Sequence, residues 1–359
     1  MKHPGTVIAI AILFLTGCSG LGPKSVSRDR FDYNTEISRS WKEQTLLNIV
    51  KIRYADMPLF IEVASIVAGY SIEGSVELGG TASSTRAIQG DFLALGTSGK
   101  YTDRPTITYS PITGQKFNES FMTPIPPRAV LFLMQTGWPV DMIFPITVDS
   151  INGLRSRIAA GKNSRIGDPG FYRVIKLLRE IQKTGTVGFR IIKGENKKET
   201  SMMFYYRKNL TPEIKEKLQE TNKLLGLRQG IRDIRVNYGS VPQDDREMAM
   251  LTRSMMQIMV VLASQIDVPP EHVAEGQTVA SLGKADSAGD KIVGHLIDVN
   301  CSKEKPETAF VSVKYAGHWF WIDRGDFLSK RVFAFLMILF SLTETGAKEG
   351  LPLVTIPAN

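Results

Sequence analysis

The chain has 359 residues, 43% hydrophobic and 22% charged, a composition that excludes a disordered stalk and fits a folded body with a sizeable core. Forty-four Lys and Arg against 36 Asp and Glu give a formal net charge of +8. No run of five or more like charges occurs, so the excess is spread as a solubilising surface rather than gathered into a polybasic arm, although anionic lipid or lipopolysaccharide phosphate remains a conceivable partner.

At the amino end, Lys2 supplies a positive charge, Val7 to Leu15 is an unbroken apolar run, and the small residues Gly17 and Cys18 follow. This is the layout of a secretory signal, and it is shorter than the ~20 apolar residues of a spanning helix. The tetrapeptide Leu15-Thr16-Gly17-Cys18 resembles the lipobox of bacterial lipoproteins. The resemblance implies that the Cys18 thiol is joined to diacylglycerol, that residues 1–17 are removed, and that the new amino group is acylated. Two or more acyl chains hold a protein at a bilayer where one binds only marginally. The plain alternative is an ordinary signal peptide that contains a cysteine. Ser19, not aspartate, follows Cys18. In Gram-negative lipoproteins aspartate there usually retains the protein at the inner membrane, so the resemblance implies the outer membrane, with the folded part facing the periplasm. A Gram-positive source would place it on the outer face of the plasma membrane. Export removes nucleic acid as a partner. With Cys18 lipidated, Cys301 has no intramolecular mate and is either buried and inert or an intermolecular link.

Residues 18–30 read as a lipidated polar tether. Glu36 to Arg53 then carries a broad apolar helical face, with Ser40 to Glu43 as a candidate capping box and Pro58 as the stop. Leu59 to Leu78 alternates as strand. Residues 79–100 are rich in Gly, Ser, Thr and Ala and read as a loop, and Thr106 to Tyr109 as a strand. Pro127 opens a helix that Gly137 ends, and a second helix is expected from Val140 to Ile151, interrupted by Pro145. Asp168-Pro169 opens another. Thr186 to Ile192 and Ser201 to Tyr206 form a hairpin, Thr211-Pro212 starts a helix to Leu225, and Ile231 to Tyr238 is a strand. A long helix is expected over Asp245 to Gln265. Lys291 to Val299, Phe310 to Tyr315 and His318 to Ile322 read as strands, Asp326 as the cap of a helix to Thr343, and Leu353 to Ile356 as a last strand. Mixed strands and helices without βαβ alternation predict an α+β fold with a mainly antiparallel sheet. A boundary near residues 155–168 would divide it into subdomains 31–160 and 161–359.

The motif search yields little chemistry. His272, His295 and His318 stand 23 residues apart, without the short spacing of a zinc site, although strand pairing could bring His295 to His318. No G-x-S-x-G elbow is present. Residues 96–100 (GTSGK) miss two of the four fixed positions of a phosphate-binding loop, having Ala94 and Tyr101. Arg324-Gly325-Asp326 spells an adhesion tripeptide, yet Asp326 is better explained as an N-cap. The densest stretch is residues 317–326 (GHWFWIDRGD), in which Trp319 and Trp321 share one strand face and Phe320 takes the other. Two uses are open for the tryptophans: core packing, or a face that stacks sugar rings or meets a protein. In the second use Asp323 and Asp326 become candidate glycosidase carboxylates. Gly137-Trp138-Pro139 and residues 150–155 read as turns that could also serve recognition.

Residues 40–58 (SWKEQTLLNIVKIRYADMP), 150–157 (SINGLRSR), 317–323 (GHWFWID) and 353–359 (LVTIPAN) resemble a group of predicted proteobacterial lipoproteins. The resemblance supports the outer-membrane reading and carries over no functional residue except Cys18. The expectation is a lipid-anchored envelope protein without a cofactor, acting as a binding or scaffold component. Its partners are membrane lipid through Cys18 and another envelope protein. The alternative is a protein that binds or cleaves glycan, peptidoglycan included.

Overall fold

The computed structural model describes residues 23–67, 70–81, 92–157, 167–185, 187–193, 200–206, 210–231, 233–281 and 295–343. Cys18 and the expected strand at 353–356 lie outside them. Helix α1 (Pro23–Arg53) has 31 residues, so residues 23–30 are helical, and Ser40 to Glu43 falls mid-helix instead of capping its start. The second half of α1 buries Leu46, Ile49 and Val50, and the helix packs on strand and helix elements near the carboxyl end of the chain. It stops without Pro58. The Ala55 backbone turns left-handed at φ +56°, and the Ala55 and Asp56 amides donate back to Ile52 and Lys51, which satisfies the last carbonyls of the helix.

The chain divides into two compact units, one of residues 59–112 and one of all the rest. The smaller is a two-stranded ribbon. Strand β1 (Ile61–Val67) pairs antiparallel with β4 (Thr106–Pro111), and β2 (Tyr70–Thr81) with β3 (Phe92–Asp103). The register runs on across the junction, from Val67↔Thr106 to Tyr70↔Asp103. Residues 92–100, expected as loop, are therefore strand. Their glycine and serine content lowers strand propensity, but an unbroken twelve-pair ladder outweighs it.

The larger unit continues with a one-turn helix α2 (Gly114–Phe117), a π-turn at Asn118–Met122, α3 (Pro127–Gln135), α4 (Val140–Thr147), β5 (Val148–Ile151) and β6 (Leu154–Arg155). The expected helix over 140–151 ends at Thr147; past Pro145, the β-branched Val148 and Ile151 join a sheet instead. Next come α5 (Pro169–Lys183), β7 (Val187–Lys193), β8 (Thr200–Tyr206), α6 (Pro212–Leu224), β9 (Asp233–Tyr238) and β10 (Glu247–Thr252). The strands form one sheet in the order β6-β5-β10-β9-β8-β7, antiparallel except for β9 with β10. This sheet draws strands from both sides of residues 155–168, so the expected boundary there does not divide the protein. Asp168 precedes α5 as expected, but its carboxylate accepts from the Arg155 amide at 2.7 Å and not from the helix.

The expected helix over 245–265 is a strand, β10, followed by α7 (Met255–Ala263). Ser254 and Gln257 form the full capping box that starts α7, so the helix begins at its cap and not at the apolar residues before it. A short α8 (Pro270–Ala274), β11 (Asn300–Ser302), β12 (Val311–Tyr315), β13 (His318–Ile322) and α9 (Phe327–Thr343) complete the unit. Residues 295–298, expected as strand, precede β11 without joining it. The last three strands form a sheet in the order β11-β13-β12. The α1 helix lies against α7 and β12, and Phe333, Phe335 and Leu336 of α9 are fully buried. The described elements are α+β, as the sequence predicts. No described helix is long and apolar enough to cross a membrane.

Candidate functional site

Strand β13 sorts the aromatic stretch by the two-residue period of a strand. His318, Phe320 and Ile322 are buried, while Trp319 and Trp321 between them are half-buried. The hairpin that presents them closes through Ala316 and Gly317, both at positive φ, +45° and +79°, the conformation that matches strand twist in a two-residue loop. In register, Trp321 stands between Asn300 and Ser312, and Trp319 between Ser302 and Lys314. The Lys305 ammonium lies 5.2 Å from the Trp319 ring centroid. Phe320 fills the core, and its ring meets Tyr54 at 6.1 Å, edge to face. The tryptophans thus form an aromatic row flanked by hydroxyl, amide and ammonium groups.

Asp323 and Asp326 follow in the turn that leads to α9, and each carboxylate is used there. Asp323 Oδ1 accepts from the Gly325 amide at 2.6 Å, and Asp326 Oδ1 accepts from the Ser329 amide at 3.1 Å. Asp326 is the helix cap that the sequence indicates. Both groups shape the backbone, and no hydrogen bond links them to the tryptophans.

A second cluster sits at the rim of the same sheet, where a shallow pocket of about 240 Å³ is lined by Asp267, Glu271, Cys301, Lys303 and His318 among others. That volume falls below the ~300–1,000 Å³ of ordinary small-molecule sites. The His272 and His318 rings meet edge to face at 4.8 Å. The Tyr54 hydroxyl and His272 Nδ1 share a hydrogen bond of 2.7 Å, and Glu271 Oε1 lies 3.5 Å from both His318 Nε2 and Lys303 Nζ. Burial, then the carboxylates of Asp267 and Glu271, push the Cys301 thiol up to about 12. Burial, with the thiol beside it, raises the Tyr54 phenol likewise to about 12. A thiol held protonated is a poor nucleophile. Among the described residues, no group of three or more His, Cys, Asp or Glu is placed to hold a metal ion. His295 does not approach His318 through strand pairing; its Nε2 lies 3.1 Å from Asp298.

The sequence singles out His272 and His318 separately but does not show that they meet, because Tyr54, His272, Cys301 and His318 come from four segments. The other two candidate loops are structural. Trp138 packs on Phe335 at 5.0 Å between ring centroids. Asn152 and Gly153 make the β5–β6 turn with φ of +46° and +81°. Comparison with protein-family models, with curated proteins and with solved structures finds no match to this chain.

Proposed function

We propose that the protein is an envelope lipoprotein, held at the outer membrane by acylated Cys18, whose folded part binds another envelope component rather than performing a reaction. The observation that carries the anchor is the Lys2, Val7–Leu15, Leu15-Thr16-Gly17-Cys18 succession. Support for a binding role comes from the candidate site. Asp323 and Asp326 are occupied as turn and cap, and burial disfavours ionisation of the Cys301 thiol. Mass spectrometry of the amino-terminal peptide tests the anchor: it should begin at Cys18 and carry acyl chains. An unmodified Cys18, or retained residues 1–17, refutes it. Crosslinking in intact cells followed by purification tests the role, and a reproducible stoichiometric envelope protein is the expected product.

A glycan ligand is the second reading, favoured by the half-buried row of Trp319 and Trp321 with its polar flanks. Binding by sugar-ring stacking needs no catalytic carboxylate. On this reading Trp321→Ala abolishes retention on insoluble peptidoglycan while leaving the fold intact. Retention unchanged in both Trp319→Ala and Trp321→Ala removes it.

A further inference from the structure

The ribbon of residues 59–112 has a property that neither reading above uses. Its β1–β4 half presents exposed apolar residues on one face: Ile61 at 38% exposure, Val63 at 36%, Ile107 at 38% and Tyr109 at 62%. The pairs Ile61↔Pro111, Val63↔Tyr109 and Ile66↔Ile107 alternate with Glu62↔Ser110 and Ser65↔Thr108. Simple alternation after Val63 would put Ser65, not Ile66, in the apolar row. A bulge between Val63 and Ser65 inserts one residue and restores the phase. From there the register continues into the β2–β3 half without a further shift. The pairs Ile72↔Tyr101, Val76↔Thr97, Leu78↔Leu95 and Gly80↔Leu93 occupy one set of positions. Glu73↔Lys100, Ser75↔Ser98 and Glu77↔Gly96 occupy the other, and Glu73, Ser75, Glu77, Ser98 and Lys100 are exposed. Between residues 72 and 78 the first set is apolar apart from the Gly74↔Gly99 pair and Thr97, and the second is polar or glycine; at the ends Asp103, opposite Tyr70, falls in the first set, and Val67, Ala94 and Phe92 in the second.

Length sharpens this pattern. Strands β2 and β3 have 12 residues each. At ~3.3 Å per residue and a tilt of ~40°, a strand of that length rises ~30 Å, about the depth of bilayer hydrocarbon. Tyr70 and Tyr101 stand near one end of the apolar set, where membrane strands carry aromatic residues at the lipid–water interface. An isolated two-stranded ribbon is marginal in water, and its two free edges are forbidden in lipid unless other strands pair with them. Identical copies can supply those strands.

We propose that the β2–β3 ribbons of several copies pair edge to edge into a β-barrel that spans the membrane, with the Ile72, Val76, Leu78 and Leu95 positions toward lipid and the Glu73, Ser75, Glu77 and Lys100 row around a water-filled lumen. The barrel is incomplete without the other copies. The proposal rests on the envelope reading for the presence of the bilayer, and its test separates the two.

The test uses full-length protein reconstituted in phospholipid vesicles, carrying Cys301→Ser and single cysteines introduced one at a time over positions 72–77. Each is labelled with an environment-sensitive dye and quenched with lipid-embedded nitroxide or with aqueous iodide. Nitroxide quenching should peak at Ile72→Cys and Val76→Cys, and iodide quenching at Glu73→Cys and Glu77→Cys. Uniform iodide quenching overturns the proposal, as does a monomer in the vesicles. A variant that misfolds is bypassed by conductance of the otherwise unaltered protein in planar bilayers. The described polar row holds two carboxylates and one ammonium per copy. The pore should therefore prefer cations, and the Glu73→Lys, Glu77→Lys double variant should prefer anions; absence of any conductance overturns the proposal. Repeating the quenching with Cys18→Ala distinguishes the failures. Retained alternation in Cys18→Ala shows that the barrel stands without the anchor, and only an unmodified Cys18 in the parent protein, read by mass spectrometry, leaves the barrel standing and the anchor fallen. Acylated protein with a ribbon wholly in water, or covered there by a soluble partner, leaves the anchor and refutes the barrel.

Discussion

Phe320 and Trp321 are neighbours in one strand with opposite surroundings, and exchanging each for alanine tests the division of the β13 sheet into a core face and a half-buried face. Phe320 is fully buried. It pairs in register with Cys301 and Val313, and its ring meets Tyr54. Phe320→Ala should cost ~3–5 kcal/mol, from lost transfer energy and the cavity left in a sheet pinned on both sides. At ~1.4 kcal/mol per tenfold, that lowers the folding equilibrium constant by two or more powers of ten. Trp321 is half-buried between Asn300 and Ser312, so Trp321→Ala should cost ~1.5–2.5 kcal/mol, about half of the loss at a buried aromatic. Urea denaturation followed by far-ultraviolet circular dichroism measures both without relying on the removed fluorophore. Phe320→Leu should recover most of the loss, since a hydrophobic residue of similar volume costs under ~1.5 kcal/mol. Equal losses for Phe320→Ala and Trp321→Ala would refute the two-faced description, as would a Phe320→Ala loss below ~1 kcal/mol.

Stability should fall on the alkaline side. Cys301 and Tyr54 are raised from ordinary values of 9.0 and 10.0 to about 12, so the folded state holds protons that the unfolded state releases, and the stability they contribute is whole below pH 9 and lost as pH rises to about 12. Thermal melts across that range should show the fall, and a Cys301→Ser, Tyr54→Phe double variant should flatten it. Arg253 is buried and donates to the carbonyls of Pro145, Ile146 and Arg157, with Asp149 Oδ1 at 3.5 Å. Arg253→Met should cost ~3–5 kcal/mol in urea denaturation, because three acceptors and a carboxylate lose their donor. Asn152 donates to the carbonyls of Leu225 and Glu247 and accepts from the Ala249 amide. Asn152→Ala should cost ~2–4 kcal/mol for three hydrogen bonds and a left-handed φ. Asn152→Gly should cost less, since it keeps the φ at no steric expense.

Where the expectations failed, propensity met a long-range partner. Residues 92–100 look like a loop because Gly96, Ser98 and Gly99 are poor strand formers, yet each has a cross-strand mate in β2. Residues 247–252 look helical because their Met and Ala fit a helix, but neighbours in β5 and β9 make them a strand. The true start signal of α7, Ser254 with Gln257, is legible three residues apart in the sequence. The candidate site divides the same way. Alternation alone puts Trp319 and Trp321 on one face and Phe320 on the other, and Asp326 reads as a cap from its place before an apolar run. The meeting of Tyr54, His272, Cys301 and His318 left no local trace.

By itself the sequence determined what depends on neighbours within a few residues: the proline- and threonine-opened helices, the two strands that flank Ala316-Gly317, and the two faces of β13. Local geometry acts over such distances. Only the tertiary structure decided which face is core, that Asp323 and Asp326 serve the backbone, that His318 meets His272 and not His295, and that one bulge brings Ile66 and Ile107 into the row of Val63 and Tyr109. Each of these depends on pairings between segments far apart in the chain, and no local preference encodes which partner a strand or a ring will find.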